Sequence, residues 1–157
     1  MHNGFVLSNG VTIQNSGMLL VGGEVFRWKP WRREGFLPPP KELGIVNGMM
    51  HIDEESWGIL DLIWPKPGKL SNLFALDVTS SDLVAIDLLV IGTGSSIKPL
   101  TKETRKIISN LGIRVEILDT RNAASQYNLL ATERGVHEIA AAILPMGLDT
   151  YKGVLPA

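Results

Sequence analysis

The run DLLVIGTG, Asp87 to Gly94, sets how the rest of the chain is read. VEILDT, Val115 to Thr120, and EIAAAILP, Glu138 to Pro145, follow it at spacings that leave room for one helix in each gap. Leu83 to Ile91 is apolar throughout except for Asp87, the texture of a central strand covered on both faces. Thr101 is placed to cap a helix carrying Ile107, Ile108 and Leu111 on one side, with Gly112 as its left-handed stop. Asp119 or Thr120 caps a second helix, in which Ala123, Tyr127, Leu130 and Ala131 share a face before Gly135 ends it. The result is a β-α-β-α-β unit, and two right-handed crossovers are expected to lay both helices on one face of its sheet. The three alanines of Ala140 to Ala142 predict a third strand on which a helix packs closely.

Upstream, Phe5 to Ser8 and Val11 to Ile13 are short β-prone runs around Asn9-Gly10, a dipeptide that supplies positive φ at both centres of a tight hairpin turn. Met18 to Val21 and Glu24 to Trp28 continue in the same style around Gly22-Gly23, a bulge or a second turn. The N-terminal third therefore reads as an antiparallel meander. From about residue 30 to 50 the texture changes, and Pro38-Pro39-Pro40 removes backbone donors, so a loop insertion is expected there. Asp53 is placed to cap a short amphipathic helix with Trp57, Leu60, Ile63 and Trp64 on one side, stopped by Pro65. Residues 68–81 read as a second loop insertion, long for a compact domain.

At 157 residues the chain has the length of a single domain, 1–157. A net charge of -1, with both signs scattered, lacks the basic stripe that phosphate-backbone binding requires, so nucleic acid is not the expected partner. The lack of any cysteine excludes disulfides, thiolate catalysis and cysteine-ligated metals. No apolar run reaches the roughly 20 residues that span a bilayer. The N-terminus reads neither as a secretory signal nor as an Arg-rich presequence, so any organelle address is expected to lie outside this chain.

The pattern offers two kinds of candidate site. Gly92-Thr93-Gly94 stands at the carboxyl end of a parallel strand, where open α/β sheets place ligands because backbone N–H groups and a helix N-terminus attract anions. Asn128 lies beside the apolar face of the second helix and is expected to hydrogen-bond that turn as a structural clasp. The motif falls short of a dinucleotide fingerprint, since the third glycine position is Ile97, and Lys98-Pro99 does not complete a P-loop. His2, His51 and His137 have no metal spacing, and Ser95 and Ser96 lack a nucleophile elbow. Asp87 reads as a carboxylate at the start of its strand. The second kind of site is aromatic: Trp28, Trp31, Phe36 and Trp64 gather in the irregular first half, suited to docking a partner.

GFVLSNG, GMLLVGGEVFRW, PKP, DLLVIGTG, GIRVEILDT, the A-x-x-x-Y-N of Ala123 to Asn128 and AAAILP together resemble, in order and across most of the chain, the mitochondrial complex I assembly factor 3 family and its prokaryotic relatives of unknown function. The resemblance implies a three-layer β/β/α fold, an N-terminal meander joined to the β-α-β-α-β unit in a mixed sheet. It implies no enzymatic activity and no cofactor. It also implies action with complex I assembly factor 4 on the quinone-module subunits of complex I, on the matrix side of the mitochondrial inner membrane, with peripheral membrane association. The alternative of a different class is a nucleotide- or small-molecule-binding enzyme that uses the Gly92 to Gly94 turn.

Overall fold

A computed structural model describes residues 4–30, 43–46, 49–52, 54–62, 86–149 and 153–154. Its frame is a five-stranded sheet. Strands β3 (Gly17–Val21) and β4 (Glu24–Trp28) form an antiparallel hairpin, preceded by a separate two-stranded hairpin of β1 (Gly4–Val6) and β2 (Thr12–Gln14). After them come β5 (Leu43–Val46) and β6 (Met49–Ile52), a 3-10 turn over Glu54–Trp57 and the short helix α1 (Gly58–Leu62). The β-α-β-α-β unit is β7 (Leu88–Gly92), α2 (Lys102–Asn110), β8 (Arg114–Leu118), α3 (Thr120–Arg134) and β9 (Ile139–Ile143); a two-residue pair, β10 (Leu148–Asp149) and β11 (Gly153–Val154), follows. The strand order β4-β3-β9-β7-β8 is mixed: β7 runs parallel to both β8 and β9, and β3 runs antiparallel to β4 and β9.

The mixed α/β class and the three-strand C-terminal unit agree with the sequence, but the expected arrangement of the helices does not. Helix α2 connects β7 outward to β8, whereas α3 returns from β8 past β7 to reach β9. Two right-handed crossovers that run in opposite directions must pass on opposite faces. Ile108 of α2 accordingly joins Leu89, Ile91, Ala140 and Ala142, while Ala123 and Tyr127 of α3 join Val90, Ala141 and Ile143, the alternate residues of the same strands. The position at the middle of the five strands belongs to β9 rather than β7. Its alanines serve both faces, Ala141 under α3 and Ala140 and Ala142 in the cluster that holds Trp28 and Trp57.

One further expectation is refined and two are corrected. The N-terminal meander is two hairpins, because β2 pairs with β1 while β3 takes β4 and β9 as neighbours. At Asn9-Gly10 only Gly10 has positive φ, +82°; the Asn9 side chain instead accepts from the Val11 N–H at 3.0 Å, and the Leu7 carbonyl accepts from Gly10. The stretch 30–50, expected as loop, contains the β5–β6 pair, and Met50 and Ile52 are fully buried. Residues 31–42, 47–48, 53 and 63–85 lie outside the described residues, which takes in the expected insertion at 68–81 and the helix cap at Asp53.

The predicted caps hold. Thr101 caps α2 by accepting from Thr104, Gly112 follows it with φ +76°, Asp119 caps α3 by accepting from Asn122, and Gly135 ends α3 with φ +99°. Gly22 and Gly23, with φ +59° and +82°, form the two-residue primed turn that joins β3 to β4.

Candidate functional site

The carboxyl ends of β7 and β8 form the topological switch point of the parallel unit, since the helices that follow these neighbouring strands leave to opposite faces. That is where the sequence placed a ligand, and the structure fills it with its own hydrogen bonds. The Thr93 N–H donates to the Leu118 carbonyl at 2.9 Å. The Gly94 N–H donates to the Thr120 hydroxyl at 3.0 Å, and that hydroxyl donates onward to the Leu144 carbonyl. The Gly94 carbonyl accepts from the Thr120 N–H at 2.8 Å, and the Thr93 hydroxyl accepts from the Lys98 N–H at 3.0 Å while lying against the Ser96 carbonyl at 2.7 Å. The backbone donors of Thr93, Gly94 and Lys98 are thus committed to protein acceptors. Asp119 adds a negative charge at the same mouth, its carboxyl held below the ordinary Asp value by the hydrogen bond from Asn122.

Gly92 is required here for closeness. A Cβ at this position would come within 3.1 Å of the Ala123 Cβ and of the Thr120 Cα, and within 3.0 Å of the Ile143 Cγ2. The first turn of α3 therefore rests directly on the ends of β7 and β9. Gly94 keeps a φ of +98° so that the chain can turn away beneath it.

Asn128 does not clasp this turn; Thr120 does. Eight residues further along α3, about 12 Å by helical rise, Asn128 is exposed at the rim of a groove of about 640 Å³ on the same face of the sheet. The β1–β2 hairpin forms one wall, the outer strands β3 and β4 the floor, and the second half of α3 the other wall. Phe5, Met18, Leu20, Val25, Tyr127 and Ile143 make the lining apolar, and Asn9, Asn128 and Thr132 supply neutral polar groups. Among the described residues of its lining Tyr127 is the one titratable side chain, and burial raises the phenol above its ordinary value, so it remains a protonated hydroxyl. This lining offers burial for apolar side chains and hydrogen bonds for amides, without an acid/base pair.

The groove was missed in the sequence because hairpin and helix residues some 120 positions apart create it. The one local signal was Phe5-Val6-Leu7, consecutive apolar residues in a short strand, more than one face of a hairpin can bury; Val6 is 72% exposed. Of the aromatic candidates, Trp28 is core: it is 5% exposed, its ring centroid lies 5.1 Å from that of Trp57, and its indole N–H donates to the Ser56 carbonyl at 2.9 Å. Trp31, Phe36 and Trp64 lie outside the described residues. Asp87 precedes β7, as read from the sequence, and accepts from both Arg114 and Arg134 at 2.6 Å, with Arg134 also 3.3 Å from Glu138. These arginines hold its carboxyl below the ordinary value, the Arg134 hydrogen bond contributing most. Among the described residues no cluster of three or more His, Asp or Glu is placed to hold a metal ion, and no helix is long and apolar enough to cross a membrane.

The NADH dehydrogenase [ubiquinone] 1 alpha subcomplex assembly factor 3 of Xenopus tropicalis is 38% identical over 74 residues, 47% of this chain and 39% of that protein. An uncharacterized protein of Rhodobacter capsulatus is 38% identical over 61 residues, 39% of this chain and 48% of its own length. The matched regions thus span less than half of either relative. A crystal structure of a Bordetella parapertussis protein shares the fold at a TM-score of 0.51 and 20% identity, covering 92% of this chain and 98% of that one. A family model described as a protein of unknown function (DUF498/DUF598) matches residues 1–144, and the chain belongs to that family.

Proposed function

We propose that this protein is a non-enzymatic assembly factor for respiratory complex I, working by holding partly built subunits. The identity with a vertebrate assembly factor 3 supports this reading, at 38% over 74 residues. The site geometry supports it as well: the Thr93 and Gly94 donors of the glycine turn are used internally, and the groove beside α3 is apolar with neutral polar groups, the chemistry of a polypeptide contact. In its finer form the proposal places the protein in the mitochondrion, on the matrix side of the inner membrane, acting with assembly factor 4 on the quinone-module subunits. Peripheral attachment to the membrane then comes through those partners.

The test is deletion of the gene followed by native-gel separation of respiratory complexes. The expected result is loss of mature complex I with accumulation of subassemblies, restored by the wild-type chain. Normal assembly of complex I in the deletion strain removes the proposal.

A further inference from the structure

The outer edge of β4 and the groove beside it form one surface. The turn at Gly22-Gly23 makes Val21 and Glu24 a hydrogen-bonded pair, so the pairs Leu19 with Phe26 and Gly17 with Trp28 are hydrogen-bonded too. Val25 and Arg27 lie between them, and their N–H and C=O groups point away from β3. The same alternation is visible on the other side of β3, where Met18 and Leu20 face Ile143 and Ala141 of β9. Among the described residues β4 has β3 as its one strand neighbour, and the Val25 and Arg27 backbone groups have no backbone partner. An open edge of this kind is a template for an extended chain, which can pair with its outward groups as a further strand.

The groove adds what an edge alone lacks. Val25 faces it, with Gly23 and Val136 at one end, and on the opposite face of β4 Phe26 is 39% exposed. A strand laid against β4 would send every second side chain toward the groove and the intervening ones beside Phe26, with same-face side chains about 7 Å apart. A volume near 640 Å³ is within the range of sites that enclose a ligand of several side chains. The other edge strand of the sheet, β8, contributes no residue to the lining of this groove. A second copy of this chain suits the edge poorly. Arg27 shares the face of Val25, so antiparallel pairing of two β4 strands about Phe26 would set Arg27 of each copy opposite Val25 of the other and gather two guanidinium groups beside the apolar groove.

We propose that β4 accepts, by strand addition, an extended segment of a partner subunit that carries apolar side chains at every second position, and that those side chains enter the groove between the β1–β2 hairpin and α3. The source of the partner rests on the assembly reading; the chemistry of the edge does not.

Proline at residue 27 tests the edge, because it deletes an outward N–H and leaves the ladder to β3 intact. Full-length tagged chains are expressed in the deletion strain and followed on native gels. The wild type and Arg27→Ser, which loses the charge but keeps the N–H, should co-migrate with complex I subassemblies. Arg27→Pro should do so about tenfold less, the effect of one hydrogen bond, with a melting temperature close to that of Arg27→Ser. Co-migration of Arg27→Pro at the wild-type level overturns the proposal, as does equal loss in Arg27→Ser. Should the wild type co-migrate with no subassembly, the assembly reading falls, and amide hydrogen exchange in the free chain decides the edge separately. Val25 and Arg27 amides exchanging far faster than those of Glu24 and Phe26 sustain it, and equal protection overturns it.

Discussion

The glycine turn and the groove lie on one face of the same helix, and they differ in whether the chain's own groups close the space. At the turn, Thr93, Gly94 and Thr120 bond to one another and to Leu118 and Leu144, and Gly92 exists to let α3 approach. Along the groove, Asn9 accepts from Val11 and Thr132 donates to the Asn128 carbonyl, but the apolar floor between hairpin and helix keeps open volume. A fold-level rule points at the first location, because helices leave a switch point to opposite faces. The rule locates a crevice; it does not say whether side chains have already filled it. Here two threonines have, and the accessible surface lies where the hairpin fails to close against the helix.

If the turn is a packed joint and the groove a surface, substitutions at the two places must differ in kind. Gly92→Val gives the largest expected loss, about 3 kcal/mol, since two of the three close neighbours of a new Cβ are a backbone atom and a methyl fixed on α3. Urea unfolding measures it, and a loss below about 1 kcal/mol would break the comparison. Thr120→Val keeps shape but leaves the Gly94 N–H and the Leu144 carbonyl without their side-chain partner, at an expected cost of about 2 kcal/mol in the same assay.

A smaller effect belongs to the amino end of the parallel unit, where Asp87 ties Arg114 at the start of β8 to Arg134 at the end of α3. Its folded carboxyl titrates below 3.8, so the stabilisation is fully present above that value and is lost as the pH falls through the lower folded pKa. Acid unfolding of Asp87→Asn should therefore show a shallower decline with falling pH below about 4 than the wild type, and parallel curves would contradict the pairing. At the groove rim, Val6→Ser should alter stability by less than about 0.5 kcal/mol, as expected for a side chain 72% exposed, while weakening partner capture. A large loss of stability there would make the rim part of the core.

The sequence disclosed those features that depend on neighbouring residues. Thr101, Gly112, Asp119 and Gly135 mark the helix ends because capping is local chemistry, and Ala123, Tyr127, Leu130 and Ala131 mark the buried face because helical periodicity is local geometry. The side of the sheet on which each helix lies was not legible, since it depends on strand order, and β9 enters between β7 and β3 through pairing with residues more than 120 positions away. Trp28 was misjudged for the same reason. Its surroundings in sequence are basic, but its partners in space are Trp57 and the Ser56 carbonyl. The filled turn was half visible: Thr93 and Thr120 are plain in the sequence, but only the fold brings Gly94 to the Thr120 hydroxyl.

The central contrast is tested most directly by following the Thr93 and Gly94 amide resonances of the full chain during titration with NAD, FAD, ATP and acyl-CoA. A joint whose donors are already bonded predicts that neither resonance moves at millimolar ligand. Saturable shifts at both, at micromolar concentrations of any of these ligands, would contradict the account and make the turn a binding site.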